Sequence, residues 1–181
     1  MEFESSTDEA LAAAAAREGS DGSAFTALVA RFQDRIWRIC YRLMNDEHDA
    51  HDAAQEVMVR MFVHRARFEG RSKYATWLHG LTVRTCLTLR RNRGRRQKHE
   101  AADPTGGEQA ASRPSAPETQ LDLQQMLDIL DEEDRALVLL KYAEEYSHEE
   151  LAEMFGLSES ACKMRIARAK DKIQRHFARG N

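Results

Sequence analysis

The sequence predicts an all-α protein of two small helical domains joined by a flexible linker. Three observations support this fold class. Apolar residues recur at three- and four-residue spacing on both sides of a central segment, which is typical of amphipathic helices. No stretch shows the strict apolar–polar alternation of a half-buried strand. All three prolines lie in that central segment, between residues 92 and 118, so the predicted helices fall into two groups.

The charge of the chain is unevenly distributed. The formal net charge is −3 over 181 residues, yet cations concentrate in residues 70–99 and near the C-terminus, while acids concentrate in residues 46–56, 128–134 and 144–153. Such segregation favours more than one interaction surface. The acidic N-terminus does not resemble a signal peptide, and no apolar run is long enough to span a membrane. We therefore expect a soluble, cytoplasmic protein.

The sequence does not favour an enzyme. It contains no HExxH motif and no glycine-rich phosphate loop, and no Ser, His and Asp residues can be placed together as a catalytic set. No cofactor is expected. The cysteines Cys40, Cys86 and Cys162 have no CxxC spacing and fall at apolar helical positions, so we expect reduced thiols in the core.

Residues 1–96 are expected to form an N-terminal bundle of four helices. Capping or helix-breaking residues precede each apolar stripe. The second helix has the strongest stripe, from Phe25 to Leu43, and the third has an apolar face opposite an acidic one. The fourth helix is expected to end at about Arg93. The predicted helix starts are Thr7, Asp21 or Ser23, Asp46, and Ser72 or Tyr74.

The basic segment at residues 70–99 is the most unusual stretch. It has nine cations and no Asp or Glu, and such a concentration is the electrostatic signature of a surface for a polyanion. Phe68, Tyr74 and Trp77 lie at its start, where aromatic rings can stack on bases that have left a duplex. The alternative for these aromatics is an ordinary helical core. The cations are Arg71, Lys73, Arg84, Arg90, Arg91, Arg93, Arg95, Arg96 and Lys98.

Residues 97–118 are predicted to be the flexible linker, because Gly and Pro stand there among Ala, Ser, Glu and Gln without periodicity. Residues 119–181 are expected to form a second domain of four helices. The first covers residues 118–130 and the second is capped by Asp131. A short third helix is capped by Ser147, with Glu150 completing a capping box, and the fourth covers residues 158–177.

The last two helices have the features of a helix–turn–helix. Gly156 occupies the turn, where a positive φ is favoured, and Ser158 restarts the chain. A basic helix of this kind fits the major groove, with its N-terminal residues at base edges. The alternative is a plain helical hairpin. Base edges are assigned to Glu159, Ser160, Lys163 and Met164, and phosphates or further bases to Arg165, Arg168 and Lys170.

Together these features resemble a bacterial RNA polymerase sigma factor of the small, two-domain extracytoplasmic-function group. The resemblance covers residues 24–177. It rests on DAHDAAQEVMVRMF at 49–62, KYATWLHGLTVRTCLTLRRNRGRR at 73–96 and YSHEELAEMFGLSESACKMRIARAK at 146–170. It implies a subunit that binds RNA polymerase core and directs promoter-specific initiation, melting the minus-ten element and reading the minus-thirty-five element as duplex. It also implies an anti-sigma factor, often membrane-bound, that holds the subunit inactive until a stress or envelope signal.

The resemblance also assigns residues. The acidic face of the third helix matches the segment that docks on the coiled coil of the largest polymerase subunit; the alternative is a solvated face. Residues 68–74 match the loop that captures an extruded base, and residues 77–91 match the helix that melts the minus-ten element. Stacking returns about 1–3 kcal/mol per base against an extrusion cost of a few kcal/mol. The docking residues are Asp49, Asp52, Gln55 and Glu56. The DNA-binding residues are Phe68, Arg71, Lys73, Tyr74, Trp77, Arg84, Arg90 and Arg91 in the first domain, and Ser158, Ser160, Lys163, Met164, Arg165, Arg168 and Lys170 in the second.

The chain departs from the family in its reading helix, so no promoter sequence is predicted. Cys162, Met164 and Ala167 stand where members of the family usually have Val, Ser and His. A second interpretation is a stand-alone helix–turn–helix regulator with an N-terminal sensor bundle. His48 and His51 would then be metal ligands at i, i+3 spacing; the alternative is that both are simply exposed.

A further expectation concerns the two domains in the free protein. From charge alone, the acidic residues 128–133 are expected to face the basic segment and to hold the molecule compact.

Overall fold

The computed structural model describes residues 5–18, 22–101 and 127–178, with the side chains of all of these except 97–101. These residues form helices and no strand, which confirms the predicted all-α class. None of the described helices is both long and apolar enough to cross a membrane. The helices are α1 (Asp8–Arg17), α2 (Ser23–Met44), α3 (Glu47–Val63), a 3₁₀ turn (Arg65–Arg67), α4 (Tyr74–Ala101), α5 (Glu132–Ala143), α6 (His148–Phe155) and α7 (Glu159–Ala178).

The helix starts depend on the capping residues that the sequence predicts. Ser147 and Glu150 form the predicted capping box, in which each side chain accepts from the other residue's backbone N–H. Each such cap replaces a hydrogen bond that the first turn of a helix lacks. Single side-chain caps are present at Thr7, Asp46, Asp131 and Ser158.

Helix α4 continues to Ala101, beyond the end predicted near Arg93. The residues after Arg93 are mostly good helix formers, and the single glycine there, Gly94, costs only about 1 kcal/mol in a helix. Most of the predicted linker and most of the helix predicted over residues 118–130 lie outside the described residues. Leu127 and Leu130, at the edge of that gap, pack with Ala169 of α7.

The N-terminal helices pack around α2. Helices α1, α3 and α4 all contact it, and its apolar stripe is buried as predicted. Cys40 of α2 and Cys86 of α4 are buried free thiols whose sulfur atoms lie 3.6 Å apart. Cys162 is also free and buried, in α7.

The two groups of helices are closed onto each other through one continuous core. Helix α4 packs on α6, and α2 and α4 both contact α5. The approach of α4 to α6 is close at Gly80, where a Cβ atom would lie 3.4 Å from the Cα of Met154. A Cβ would thus already touch the backbone of α6, so a side chain larger than alanine at position 80 would need space that α6 occupies.

Candidate nucleic-acid interface

The aromatic residues at the start of the basic segment form one cluster. The ring centroid of Phe68 lies 5.1 Å from that of Tyr74 and 5.8 Å from that of Trp77. Tyr74 is only 1% exposed and also contacts Phe32 of α2 edge to face. Burial raises its pKa, with a smaller contribution from the Asp8 carboxylate. Tyr74 therefore has the core role that was the alternative, whereas Phe68 and Trp77 are half-buried at the rim.

Helix α1 covers this cluster, which the sequence analysis did not foresee. The Glu9 carboxylate accepts a hydrogen bond from the backbone N of Tyr74 at 3.0 Å and so caps α4 from outside. This hydrogen bond is the main reason that the pKa of Glu9 lies below its usual value. Asp8, next to it, pairs with Arg31 of α2 at 2.7 Å. The N-terminal acids therefore fix α1 against both α2 and α4.

Three of the cations of α4 face the C-terminal helices. Arg84 donates to the backbone oxygen of Met154 at 3.1 Å, and its partial burial lowers its pKa. Arg90 pairs with Glu132 at 3.4 Å, and Arg91 pairs with Glu133 at 2.7 Å. These pairs place the acidic start of α5 against the basic segment, as expected from charge.

The remaining predicted cations of this region lie elsewhere. Arg71 is exposed and pairs with Glu69 at 2.5 Å, and Lys73 is exposed at the start of α4. Asp128 does not face the basic segment, since it pairs with Arg135 of its own domain. Among the described cations of this segment, Arg71 and Lys73 are therefore exposed before or at the start of α4, whereas Arg90, Arg91 and Arg93 within α4 pair with carboxylates.

The helix–turn–helix forms as predicted. Gly156 has a φ of 67° and ends α6, and α7 projects from the turn. Ser158, Ser160, Lys163 and Arg168 are all exposed, and Met164 is 51% exposed. Lys163 pairs with Glu159 at 2.6 Å, and the Arg168 guanidinium lies 3.5 Å from the sulfur of Met164. Lys170 is exposed further along α7.

Arg165 departs from the expected outward orientation. Its guanidinium turns towards α5 and pairs with Asp134 at 2.7 Å and Glu133 at 3.1 Å. Burial disfavours its charge, but the hydrogen bonds to these two carboxylates outweigh burial and raise its pKa. Glu133 therefore contacts both Arg91 of α4 and Arg165 of α7. One carboxylate thus neutralises a cation on each of the two helices that are predicted to bind DNA.

The face of α3 that was assigned to polymerase is mostly exposed. Asp52 and Gln55 point outward, and Glu56 pairs with Arg60 at 2.6 Å. Asp49 instead pairs with Arg93 of α4. Two exposed valines that were not among the predicted docking residues extend this face; Val59 is 58% and Val63 60% exposed.

His48 and His51 do not form a metal site with other described residues. Nε2 of His48 lies 3.9 Å from the carboxylate of Asp52, and no group of three His, Cys, Asp or Glu side chains in residues 5–18, 22–101 and 127–178 is arranged to hold a metal. Two imidazoles without a third ligand do not make a closed site.

Two regions of the chain match known families. The family model described as sigma-70 region 2 matches residues 28–96, and that of sigma-70 region 4 matches residues 120–173. ECF RNA polymerase sigma factor SigM of Mycobacterium tuberculosis is 31% identical over 161 residues, covering 89% of this chain and 81% of SigM. The chain belongs to the ECF group of RNA polymerase sigma factors. ECF sigma factor SigW of Bacillus subtilis is 27% identical, over 87% of this sigma factor and 90% of SigW.

Solved structures share the fold of this sigma factor. CnrH, in complex with the cytosolic domain of CnrY, has a TM-score of 0.66 at 23% identity, over 96% of this chain and 99% of CnrH. RpoE of Bartonella quintana, in complex with the anti-sigma factor NepR, has a TM-score of 0.64 at 20% identity, over 85% and 96% of the two chains.

Proposed function

We propose that this sigma factor docks on RNA polymerase core through the outer face of α3, opens the minus-ten element with α4 and the loop before it, and reads the minus-thirty-five element with α7. The observation that carries the proposal is the presence of both sigma regions, in order, on one chain. The exposed start of α7 and the exposed face of α3 support the assignments at residue level. We propose no catalytic activity for it. The alternative function, a stand-alone helix–turn–helix regulator, is disfavoured because it does not explain why residues 28–96 match sigma-70 region 2.

Regulation by an anti-sigma factor is part of the same proposal. The two solved structures described above each contain a second protein, CnrY in one and the anti-sigma factor NepR in the other. A partner of this class would keep the sigma factor inactive in the cytoplasm. A partner anchored in the inner membrane would hold the sigma factor at that membrane.

In-vitro transcription tests the proposal. Purified chain is added to core polymerase with a library of genomic fragments, and start sites are mapped. We expect initiation at a defined set of sites that requires the chain. Initiation equal to that of core polymerase alone on every fragment would contradict a sigma function.

Arg168→Ala tests the assignment of α7. Arg168 is exposed and its only described contact is with Met164 of the same helix, so its loss leaves the fold intact. We expect weaker binding of holoenzyme to duplex minus-thirty-five DNA, with the salt slope reduced by about one. Arg17→Ala, at an exposed arginine of α1, is the control. Equal affinity and equal salt slope in the two variants would show that α7 is not the reading helix.

A further inference from the structure

Three arginines of α2 share one narrow face of that helix. Arg35, Arg38 and Arg42 are spaced by three and four residues, which brings side chains into line along a helix. These arginines were not among the predicted site residues, although their spacing was the signal that could have identified them. Arg38 is exposed, whereas Arg35 and Arg42 both reach the C-terminal domain.

One carboxylate holds both ends of this arginine row. Glu144, at the end of α5, has a side chain that is only 3% exposed. Its Oε2 lies 3.1 Å from Nη1 of Arg35, and its Oε1 accepts from Nε of Arg42 at 2.5 Å. Arg35 also donates to the backbone oxygen of Glu144 and to the Tyr146 hydroxyl, each at 3.2 Å. A carboxylate this buried depends on its cations, and the cations here all come from the other domain.

The arginine row continues onto α4. Arg90 donates to the backbone oxygen of Leu43 at 2.5 Å, one residue beyond Arg42, and its other partner is Glu132. Four arginines of α2 and α4 thus pair with carboxylates of the C-terminal domain: Arg35 and Arg42 with Glu144, Arg90 with Glu132, and Arg91 with Glu133. If the domains separate, these guanidinium groups lose their counter-charges together.

We infer that Arg35, Arg38 and Arg42 form a phosphate-binding surface for promoter DNA, continuous with the arginines of α4, and that Glu144 occupies this surface while the domains are closed. The inference rests on the proposed function and adds a contact that the minus-ten and minus-thirty-five assignments do not include. Guanidinium groups bind phosphate and carboxylate oxygens with the same fork geometry, so a DNA backbone can replace Glu144 at Arg35 and Arg42.

The first experiment measures the free full-length chain. Fluorescence anisotropy is recorded with a labelled single-stranded oligonucleotide and with the same sequence as duplex, which distinguishes an opened strand from paired DNA. We expect Glu144→Gln to bind at least one probe several-fold more tightly than wild type. Glu145→Gln removes the same charge one residue later, at an exposed position, and is expected to match wild type. Equal affinities of the two variants for both probes would overturn the masking role of Glu144.

The second experiment does not depend on Glu144. Arg35→Gln, Arg38→Gln and Arg42→Gln are each assembled with core polymerase and bound to fork-junction promoter DNA across a salt series. We expect several-fold weaker binding and a salt slope smaller by about one for each. Arg17→Gln, with an exposed arginine of α1, is the control. Unchanged binding by all three, in holoenzyme that initiates normally, would overturn this surface and leave the proposed function standing. Holoenzyme that never initiates would instead count against the proposed function.

Discussion

His79 of α4 is a buried titratable residue at the junction of the two domains. Its Nδ1 lies 2.7 Å from the Tyr146 hydroxyl, and its Nε2 has no hydrogen-bond partner among the described residues. Arg35 already donates to the same hydroxyl, which leaves the hydroxyl proton for Nδ1 and favours a neutral imidazole. Burial, and then the charge of Arg35, lower the pKa of His79 to about 4, while Glu150 opposes the shift.

This shift makes stability depend on pH. His79 has a lower pKa when folded than its ordinary 6.5, so the unfolded chain binds the extra proton and stability is lost as pH falls from 6.5 towards 4. We expect the free energy of unfolding to fall by about 1 kcal/mol between pH 8 and 5.5, and to be about 3 kcal/mol lower below pH 4. Urea denaturation of wild type and His79→Gln tests this expectation. Gln retains an acceptor for Tyr146 but does not titrate, so a similar pH dependence in both proteins would contradict it.

The residues that the sequence misplaced are those whose partners lie far along the chain. Arg165 was expected to face DNA because it is a cation on the outer part of a reading helix. The structure turns it onto Asp134, 31 positions earlier. Tyr74 was assigned to base capture, but Phe32 and α1 enclose it. Helical spacing identifies a face, but it does not identify what another helix places against that face.

Helix boundaries were predictable because their determinants are local. A capping side chain and the backbone N–H that donates to it are three residues apart, so Ser147, Asp131 and Asp46 could be identified without any tertiary information. The exception is the end of α4, where no strong stop signal exists and Gly94 does not break the helix.

Substitution by alanine is expected to have opposite effects on stability at Gly156 and at Gly94. Gly156 has a positive φ, and an L-residue there costs roughly 1–2 kcal/mol. Gly94 lies within α4 with no atom within 4 Å of an added Cβ, so alanine is expected to stabilise by about 0.5–1 kcal/mol. Thermal unfolding of Gly156→Ala and Gly94→Ala measures both. A stabilising Gly156→Ala would mean that the turn can adopt another conformation.

The closed packing of the whole molecule was only partly predictable. Charge segregation correctly placed the acidic start of α5 opposite the basic segment. The shared apolar core was not predicted, because apolar residues at helical spacing are expected in each domain whether or not the domains touch. Gly80 contributes to this packing by omitting a side chain, and such an omission has no periodicity that a sequence can reveal.

Gly80→Val should separate the domains. Its Cβ would approach the backbone of Met154, and the added methyl groups need space that α6 fills. We expect a larger radius of gyration by small-angle scattering and tighter DNA binding, with helical content retained. Gly94→Val, on the same helix but facing open space, is the control. If Gly80→Val is as compact as Gly94→Val, the two domains are not held together at this contact.

Glu133 and Glu144 belong to the same polypeptide as the arginines they cover. Their competition with DNA is therefore intramolecular, with an effective concentration fixed by the chain and not by the amount of protein. Dilution of the protein does not weaken this competition. A cell with few copies of the protein and a cell with many copies therefore have the same fraction of molecules in the open form. A ligand that binds the open form better would raise that fraction, whereas a change in the amount of the protein alone would not.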